Sequence, residues 1–375
     1  MKKITVVGTG FGALTTIRTL RKRDKHAEIT VIGKEQEFLY YPSLIWVPSG
    51  LRTHKDISVN LTNFFAKHQV NFHPDAAERL EAGGRKVVTE NGTVENDALV
   101  IATGGRYLQK LPGIEHVTIP CRGYADAEKF RQSLHALKKG TIAFGFSGNP
   151  NEGSAMRGGP IFEFLFGTHT LLKKQGRRQD FRLAFFCPSP RPGQRMGDKA
   201  VNRLLTCMKD SQIDLHIGHK LKGFTENSVK TEAGEFQADL VAFIPGMTGS
   251  AWLQDESLPK SPGGFLRANE QCQVEGLPHV YAVGDCASFP GPDWKPKQAH
   301  MADLQAICAA NNALAALNGK PANQTFRTEL ACIVDSTDKG MFVARTRKHN
   351  FMLPSLTVLH WLKRFFEWWY LRAYR

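Results

Sequence analysis

No two of the seven cysteines are spaced as CxxC, and none stands at the His/Cys spacing of a zinc site, which disfavours a metal centre and a secreted disulfide framework. Long apolar runs are missing too, since nothing approaches the roughly 20 residues needed to cross a bilayer. The start, MKKITVVGTGFGA, enters a glycine loop too soon for a signal-peptide apolar stretch, so a cytoplasmic location is expected. Acid is scarce against base. A formal net charge of +14 draws the chain to nucleic acid, an acidic leaflet or an acidic partner, and the sign alone does not choose. The 42% hydrophobic and 22% charged fractions are ordinary for a globular protein and exclude a disordered chain. At 375 residues it exceeds the roughly 100 to 200 of one usual domain.

What the chain does have is glycine, 34 residues of it, some grouped in a telling way. KITVVGTGFGALTTIRTLRK holds a β-branched strand, then Gly8, Gly10 and Gly12, then helix formers from Ala13 onward. That order delivers backbone N–H groups and the positive end of a helix to a pyrophosphate, with Ala13 as a permitted variant at the last position. A second strand, AEITVIG, follows and ends near Glu35, which either grips the ribose hydroxyls or is simply a solvated charge. Further on, NDALVIATGGRY predicts a buried strand running into Ala102, Thr103 and Gly104, and HVYAVGDCAS predicts another that delivers Gly284 and Asp285. The Ala-rich stretch after Pro296 predicts a long helix ending near Gly319, with Lys297 at its start.

These three turns, in this order, resemble the flavoproteins that carry two dinucleotide-binding domains. The resemblance covers the whole chain. It implies an α/β fold of two Rossmann-like domains, with FAD held by the turns at Gly8–Ala13, Ala102–Gly104 and Gly284–Asp285. It also implies that the start of the long helix, beside Lys297, faces the flavin ring and stabilises negative charge there.

The second strand, loop and helix unit, at GTIAFGFSGNPNEGSAMRGGPIFEF, lacks the short glycine turn of a nicotinamide site. Asn149 to Glu152 are inserted before Arg157, so NADH is disfavoured as the electron donor. Tyr41-Pro42-Ser43, Cys121 in IPCRGYADAEKF, Gly159-Pro160 with Glu163, Cys332 in ACIVDSTDKGMFVA and the closing LHWLKRFFEWW are similar to sulfide:quinone oxidoreductases and to the flavoprotein subunit of flavocytochrome c sulfide dehydrogenase. In that family sulfide attacks a redox-active cysteine pair, a cysteine thiolate or persulfide adds to the flavin, and quinone removes the electrons. The resemblance implies Cys332 as the active cysteine, Cys121 as an additional one and Glu163 as a proton handler. Positive charge nearby is expected to lower the reacting thiol's pKa. The chain departs from the family where a partner cysteine usually precedes the Gly-Pro turn, because Met156-Arg157 stands there. No cysteine lies near Pro42-Ser43 to bond the flavin, so FAD is expected to be non-covalent. Cys187, Cys207, Cys272, Cys286 and Cys308 are assigned to packing.

The tail has its own pattern. On a helix over residues 355–375, Leu359, Leu362, Phe366 and Trp369 form one row and Val358, Trp361, Phe365 and Trp368 another, with His360, Lys363, Arg364 and Glu367 opposite. A wide aromatic stripe backed by cations predicts docking to a membrane surface, where quinone resides, in preference to nucleic acid. A terminal helix covering an open sheet edge is the alternative.

The expected organisation is an FAD domain of residues 1–139 and 246–322, a second Rossmann-like domain at 140–245, and an active-site strand with a docking segment at 323–375. The expected function is oxidation of sulfide, or a related sulfur compound, with electrons passed to quinone by a protein peripheral to the cytoplasmic membrane. The rivals are a type II NADH:quinone oxidoreductase, a flavocytochrome c flavoprotein subunit, which would need a haem partner and a cysteine near Pro42-Ser43, and a catalytically silent flavin-binding or sulfur-carrier scaffold. The sequence leaves a homo-oligomer open.

Overall fold

The structure is a computed structural model and describes residues 2–375. Lys3–Val7, Glu28–Gly33, Val70–Pro74, Ala98–Ile101 and Val280–Ala282 build one parallel sheet. Its order runs Val280–Ala282, Ala98–Ile101, Lys3–Val7, Glu28–Gly33, Val70–Pro74. The central strands read as continuous apolar runs because both faces are covered, and Val6, Val31 and Val100 are all wholly buried. Register decides where the turns emerge. Val7 pairs with Ile101, and Ile101 with Ala282, so three strands far apart in sequence end side by side. Their next residues are tied in the same way, the Ala102 N–H donating to the Val7 carbonyl and the Val283 N–H to that of Ile101, both at 2.9 Å. Helices Phe11–Arg23 and Ala299–Leu317 follow two of these turns and pack on each other.

A second parallel sheet runs in the order Ile213–Ile217, Phe181–Cys187, Gly140–Phe146, Leu240–Ile244. Between the two sheets the chain crosses twice, and the crossing segments Gly105–Tyr107 and Met247–Gly249 pair antiparallel. The expected two-Rossmann architecture is therefore present, with helix Gly159–Lys174 following the first strand of the second sheet.

The C-terminal part differs from its expected form. Phe351 and Met352 belong to a third strand, Asn350–Leu356, of an antiparallel sheet with Leu330–Asp335 and Gly340–Arg345, and the helix begins only at Thr357. Helix Thr357–Arg372 does have the predicted two faces, yet the polar one points inward. His360 and Glu367 are buried, as is Leu359, which was expected in the outward row. Glu367 accepts from Arg52 Nε at 2.8 Å and from the Ser43 hydroxyl. His360 Nδ1 lies 2.8 Å from an oxygen of Asp335, whose other oxygen accepts from Trp46 Nε1 at 2.9 Å and the Thr337 N–H at 2.7 Å. Lys363 bonds Glu163. The physical reason is that these charges find partners of opposite sign inside, and a buried charge with partners is tolerated where an unpaired one is not. Past them the helix is fastened by aromatic packing, Tyr370 on Phe11 at 5.4 Å and Tyr374 on Phe38 at 5.5 Å between centroids. Val358, Trp361, Leu362, Phe365, Phe366, Trp368 and Trp369 remain at least half exposed. Among the described residues no helix is long and apolar enough to cross a membrane.

Removing one member of the Arg52–Glu367 pair strands the other. Glu367→Ala is expected to cost about 3 kcal/mol in a urea unfolding curve and to make the tail the first segment cut by protease. A curve that overlays the parent's would refute the inward anchoring.

Candidate active site

The three adjoining strand ends open into one cavity of about 2660 Å³. Its wall includes Gly8, Gly10, Gly12, Glu35, Ala102, Thr103, Gly104, Gly284, Asp285 and Lys297, together with Cys121, Glu163 and Cys332. Of the candidate catalytic and cofactor-binding residues only Ala13 stays off the wall; it is fully buried behind the turn, where a small side chain packs. Glu35 lies exposed at the rim.

The glycine turn passes the test of fit for a dinucleotide. A Cβ on Gly8 would stand 2.6 Å from the Ala102 carbonyl oxygen, and one on Gly12 would stand 2.7 Å from Val283 Cγ2, so these two glycines let the three turns close up. A Cβ on Gly10 would meet nothing within 4 Å. Open space therefore lies where the phosphates belong. Helix Phe11–Arg23 begins here with no side-chain cap and no acid in its first turn, which leaves its N–H groups and positive end for an anion. Helix Ala299–Leu317 also starts uncapped, and Oε1 of its preceding residue, Gln298, is buried with no partner.

Lys297 is not a solvated helix-start lysine. Its ammonium donates to the Ala287 carbonyl at 2.9 Å and sits 3.9 Å from the Phe265 ring centroid. Burial lowers its pKa, while the nearby Asp285 and Glu152 carboxylates work the other way. Asp285 carries a contact that the sequence did not suggest, an ion pair with Arg157 from the loop before helix Gly159–Lys174. Burial opposes the guanidinium's charge, yet Asp285, with Tyr107 and Cys121, outweighs it and holds Arg157 above its usual range. The rest of that loop is pinned. Asn149 Nδ2 donates to the Met247 carbonyl at 2.9 Å, the Ser288 hydroxyl to Glu152 at 2.7 Å, and Arg195 to the Ser154 carbonyl at 3.0 Å.

Cys332 lies in the strand Leu330–Asp335 and Cys121 before helix Tyr124–Ala136; both reach the same cavity. Neither thiol has the lowered pKa expected of it. Burial pushes both up to about 12 and Glu163 adds to the rise, while Arg157 pulls Cys121 down and Lys363 pulls Cys332 down. Glu163 thus lies within electrostatic reach of both sulfurs. Its own carboxyl is pushed up to about 7 by burial against the pull of Lys363, and Oε1 also accepts from the Asp335 N–H at 2.9 Å. Lys363 is a site residue that sequence reasoning left on a solvent face. Its spacing from His360 and Glu367 along one helix stripe was visible, but nothing local said that the stripe faces inward.

The arrangement therefore joins a dinucleotide cradle, two thiols, a carboxyl poised near neutrality and the cations Arg157, Lys297 and Lys363 within one cavity. A family model for pyridine nucleotide-disulphide oxidoreductases matches residues 2–143 and 187–306. The chain is 26% identical over 368 residues to a sulfide-quinone reductase of Aquifex aeolicus, covering 92% of this chain and 83% of that one. It is 25% identical over 347 residues to a type II NADH:quinone oxidoreductase of Staphylococcus saprophyticus, covering 86% and 84%. In fold it is similar to the crystal structure of the Aquifex aeolicus sulfide:quinone oxidoreductase, with a TM-score of 0.90, 23% identity, and 100% and 92% of the two chains covered. The resemblance read from the sequence stands, and over two segments that take in the glycine turn, Cys121, Asp285 and Lys297, the chain belongs to the pyridine nucleotide-disulphide oxidoreductase family.

Proposed function

We propose that this chain takes two electrons from sulfide, or from a related reduced sulfur compound, and delivers them through FAD to a quinone at a membrane surface. The observation that carries this is the sharing of one cavity by the glycine cradle, Cys332 and Glu163. The cofactor is a flavin, which when bound accepts two electrons from the sulfur side and releases them to the quinone side. Gly8, Gly10 and Ala102 to Gly104 would hold its phosphates and sugar, with Asp285 on the ribityl side and Lys297 near the ring. Cys332 is the nucleophile. Its half-buried thiol is held neutral, so its proton must leave before it acts as a nucleophile, and Glu163 is the base within reach. Lys363 steadies the carboxylate that Glu163 becomes.

A type II NADH:quinone oxidoreductase is the second reading, because such relatives match nearly as well. The pinned loop weighs against it, since the helix starts only at Gly159, well past the strand end at Phe146. The two part in one anaerobic experiment in which yellow protein is mixed with sulfide, NADH and a short-chain quinone in turn. Sulfide is expected to bleach the flavin at a rate orders of magnitude above NADH, and quinone to restore it. Cys332→Ser is expected to keep its flavin and lose the sulfide step. Rapid bleaching by NADH, or a serine variant as fast as its parent, would overturn the proposal.

The carboxylate form of Glu163 predominates above about pH 7. The sulfide-dependent bleaching rate should therefore rise across that pH, and Glu163→Gln should lose the part of the rise that belongs to this group. Parent and variant profiles of the same shape would remove Glu163 from the mechanism.

Docking is carried by the outward face of helix Thr357–Arg372. A contiguous apolar patch of this kind is rare on a protein surrounded by water, and tryptophan favours the lipid interface. Leu362 and Phe366 belong to both the exposed face and the cavity wall, so a quinone in lipid would meet the cavity without crossing water. Replacing Trp361, Phe365, Trp368 and Trp369 by serine should abolish co-sedimentation with anionic liposomes and leave the thermal unfolding midpoint nearly unchanged, because these side chains pack little. Equal binding by the variant would refute docking through this face.

A further inference from the structure

The inserted loop carries an acid, Glu152, to which the function proposed above gives no task. Residues 147–158 join the strand Gly140–Phe146 to the helix Gly159–Lys174, and this first strand-to-helix turn is where a Rossmann-like sheet receives a diphosphate. The Glu152 carboxylate accepts from three hydroxyls. Ser154 of its own loop donates at 3.0 Å, while Ser288, at 2.7 Å, and Ser261 donate from the chain that follows the second sheet. Burial works against the charge, yet the hydroxyls of Ser261 and Ser288, with Lys297, hold the carboxyl below its usual range. The fit leaves no slack, for a Cβ on Gly263 would stand 2.5 Å from Glu152 Oε2.

Further contacts tie the loop on either side of this acid. Asn149, itself buried, donates through Nδ2 to the Met247 carbonyl at 2.9 Å and to that of Gly263 at 3.1 Å. The N–H of Ala155, a wholly buried residue, reaches the Glu152 carbonyl at 2.9 Å, and the Met247 N–H reaches the Ala155 carbonyl at 3.0 Å. The loop is thus held by residues 247–288, across the junction and away from its own sheet. A dinucleotide needs such a turn free, with its N–H groups aimed at a doubly charged diphosphate. Here the turn is closed on a carboxylate, which also repels a second anion brought within a few ångströms.

We propose that Glu152, clasped by Ser154, Ser261 and Ser288, is a specificity-determining residue: it fills the turn of the second domain with an internal anion and so keeps dinucleotide phosphates, those of NADH among them, from binding there. The clasp rests on the reading that this chain does not take electrons from NADH and is independent of sulfide as the donor.

The test titrates flavin-stripped full-length protein with NADH and follows the nucleotide's own fluorescence, so no electron transfer enters the readout. Glu152→Ala should bind NADH about tenfold more tightly than the parent. Ser261→Ala combined with Ser288→Ala should give a smaller gain, because the loop is freed while the charge remains. All three together should add little to Glu152→Ala alone, since both changes cut one set of contacts. Hydrogen exchange reports the clasp itself: amides of residues 147–158 should exchange about tenfold faster in each variant, with those of Gly140–Phe146 unchanged where the fold is intact. Faster loop exchange over an intact sheet with no gain in NADH binding overturns the proposal, as does loop exchange at the parent's rate. Should Glu152→Ala melt the sheet, the serine pair decides by the same two measurements. Failure of the underlying reading looks different, for there the parent itself binds NADH saturably at micromolar concentration.

Discussion

A carboxylate with no exposure to water holds the C-terminal sheet and helix of this molecule in place. Asp335 ends a strand, and both its oxygens are filled by donors from other parts of the chain, Trp46 and His360, and by the N–H of Thr337 in its own turn. Leaving such a group unpaired would cost several kcal/mol, so the early turn Tyr41–Trp46, the strand and the tail helix are fixed relative to one another or not at all. Glu163 and Lys363 lie directly beside this junction, the acid taking the Asp335 N–H and the lysine reaching the Ile333 carbonyl at 3.2 Å. The surface that meets the bilayer in the proposed function and the acid Glu163 beside Cys332 therefore lie on opposite sides of the tail helix, whose Lys363 reaches that acid.

The cofactor end obeys a different constraint, register. Three parallel strands of matched height place three short turns at one edge, and two glycines there accept carbonyl and methyl neighbours that any larger residue would repel. This part was legible in the sequence because its chemistry is local. A glycine needed for a close approach, an uncapped helix start and a buried β-branched strand each leave a mark within about ten residues.

What escaped notice was set by partners distant in sequence. Helical periodicity in the tail identified two faces correctly but carries no sign, so it could not say which one meets the protein; only the acids and bases at positions 52, 163 and 335 decide that. Arg157 was visible as a departure from a pattern, yet its partner at position 285 was claimed by another motif. The thiols were expected to be acidic because cations lie near them, and so they do, but enclosure outweighs the cations. Whether burial or charge wins at a cysteine depends on how many walls surround it, which no local window of sequence contains.

The strand Val280–Ala282 takes the edge position beside Ala98–Ile101 only after the whole second sheet has been made. On the ribosome the amino-terminal strands must wait with that edge unpaired while residues 140–244 emerge and close on themselves. The inserted unit, whose four strands all lie between residues 140 and 244, is thus able to mature first, and the nucleotide cradle is completed last by a segment arriving from downstream. A nascent chain halted before residue 280 would display a bare sheet edge, the kind of surface that chaperones shield and that neighbouring copies exploit for mispairing.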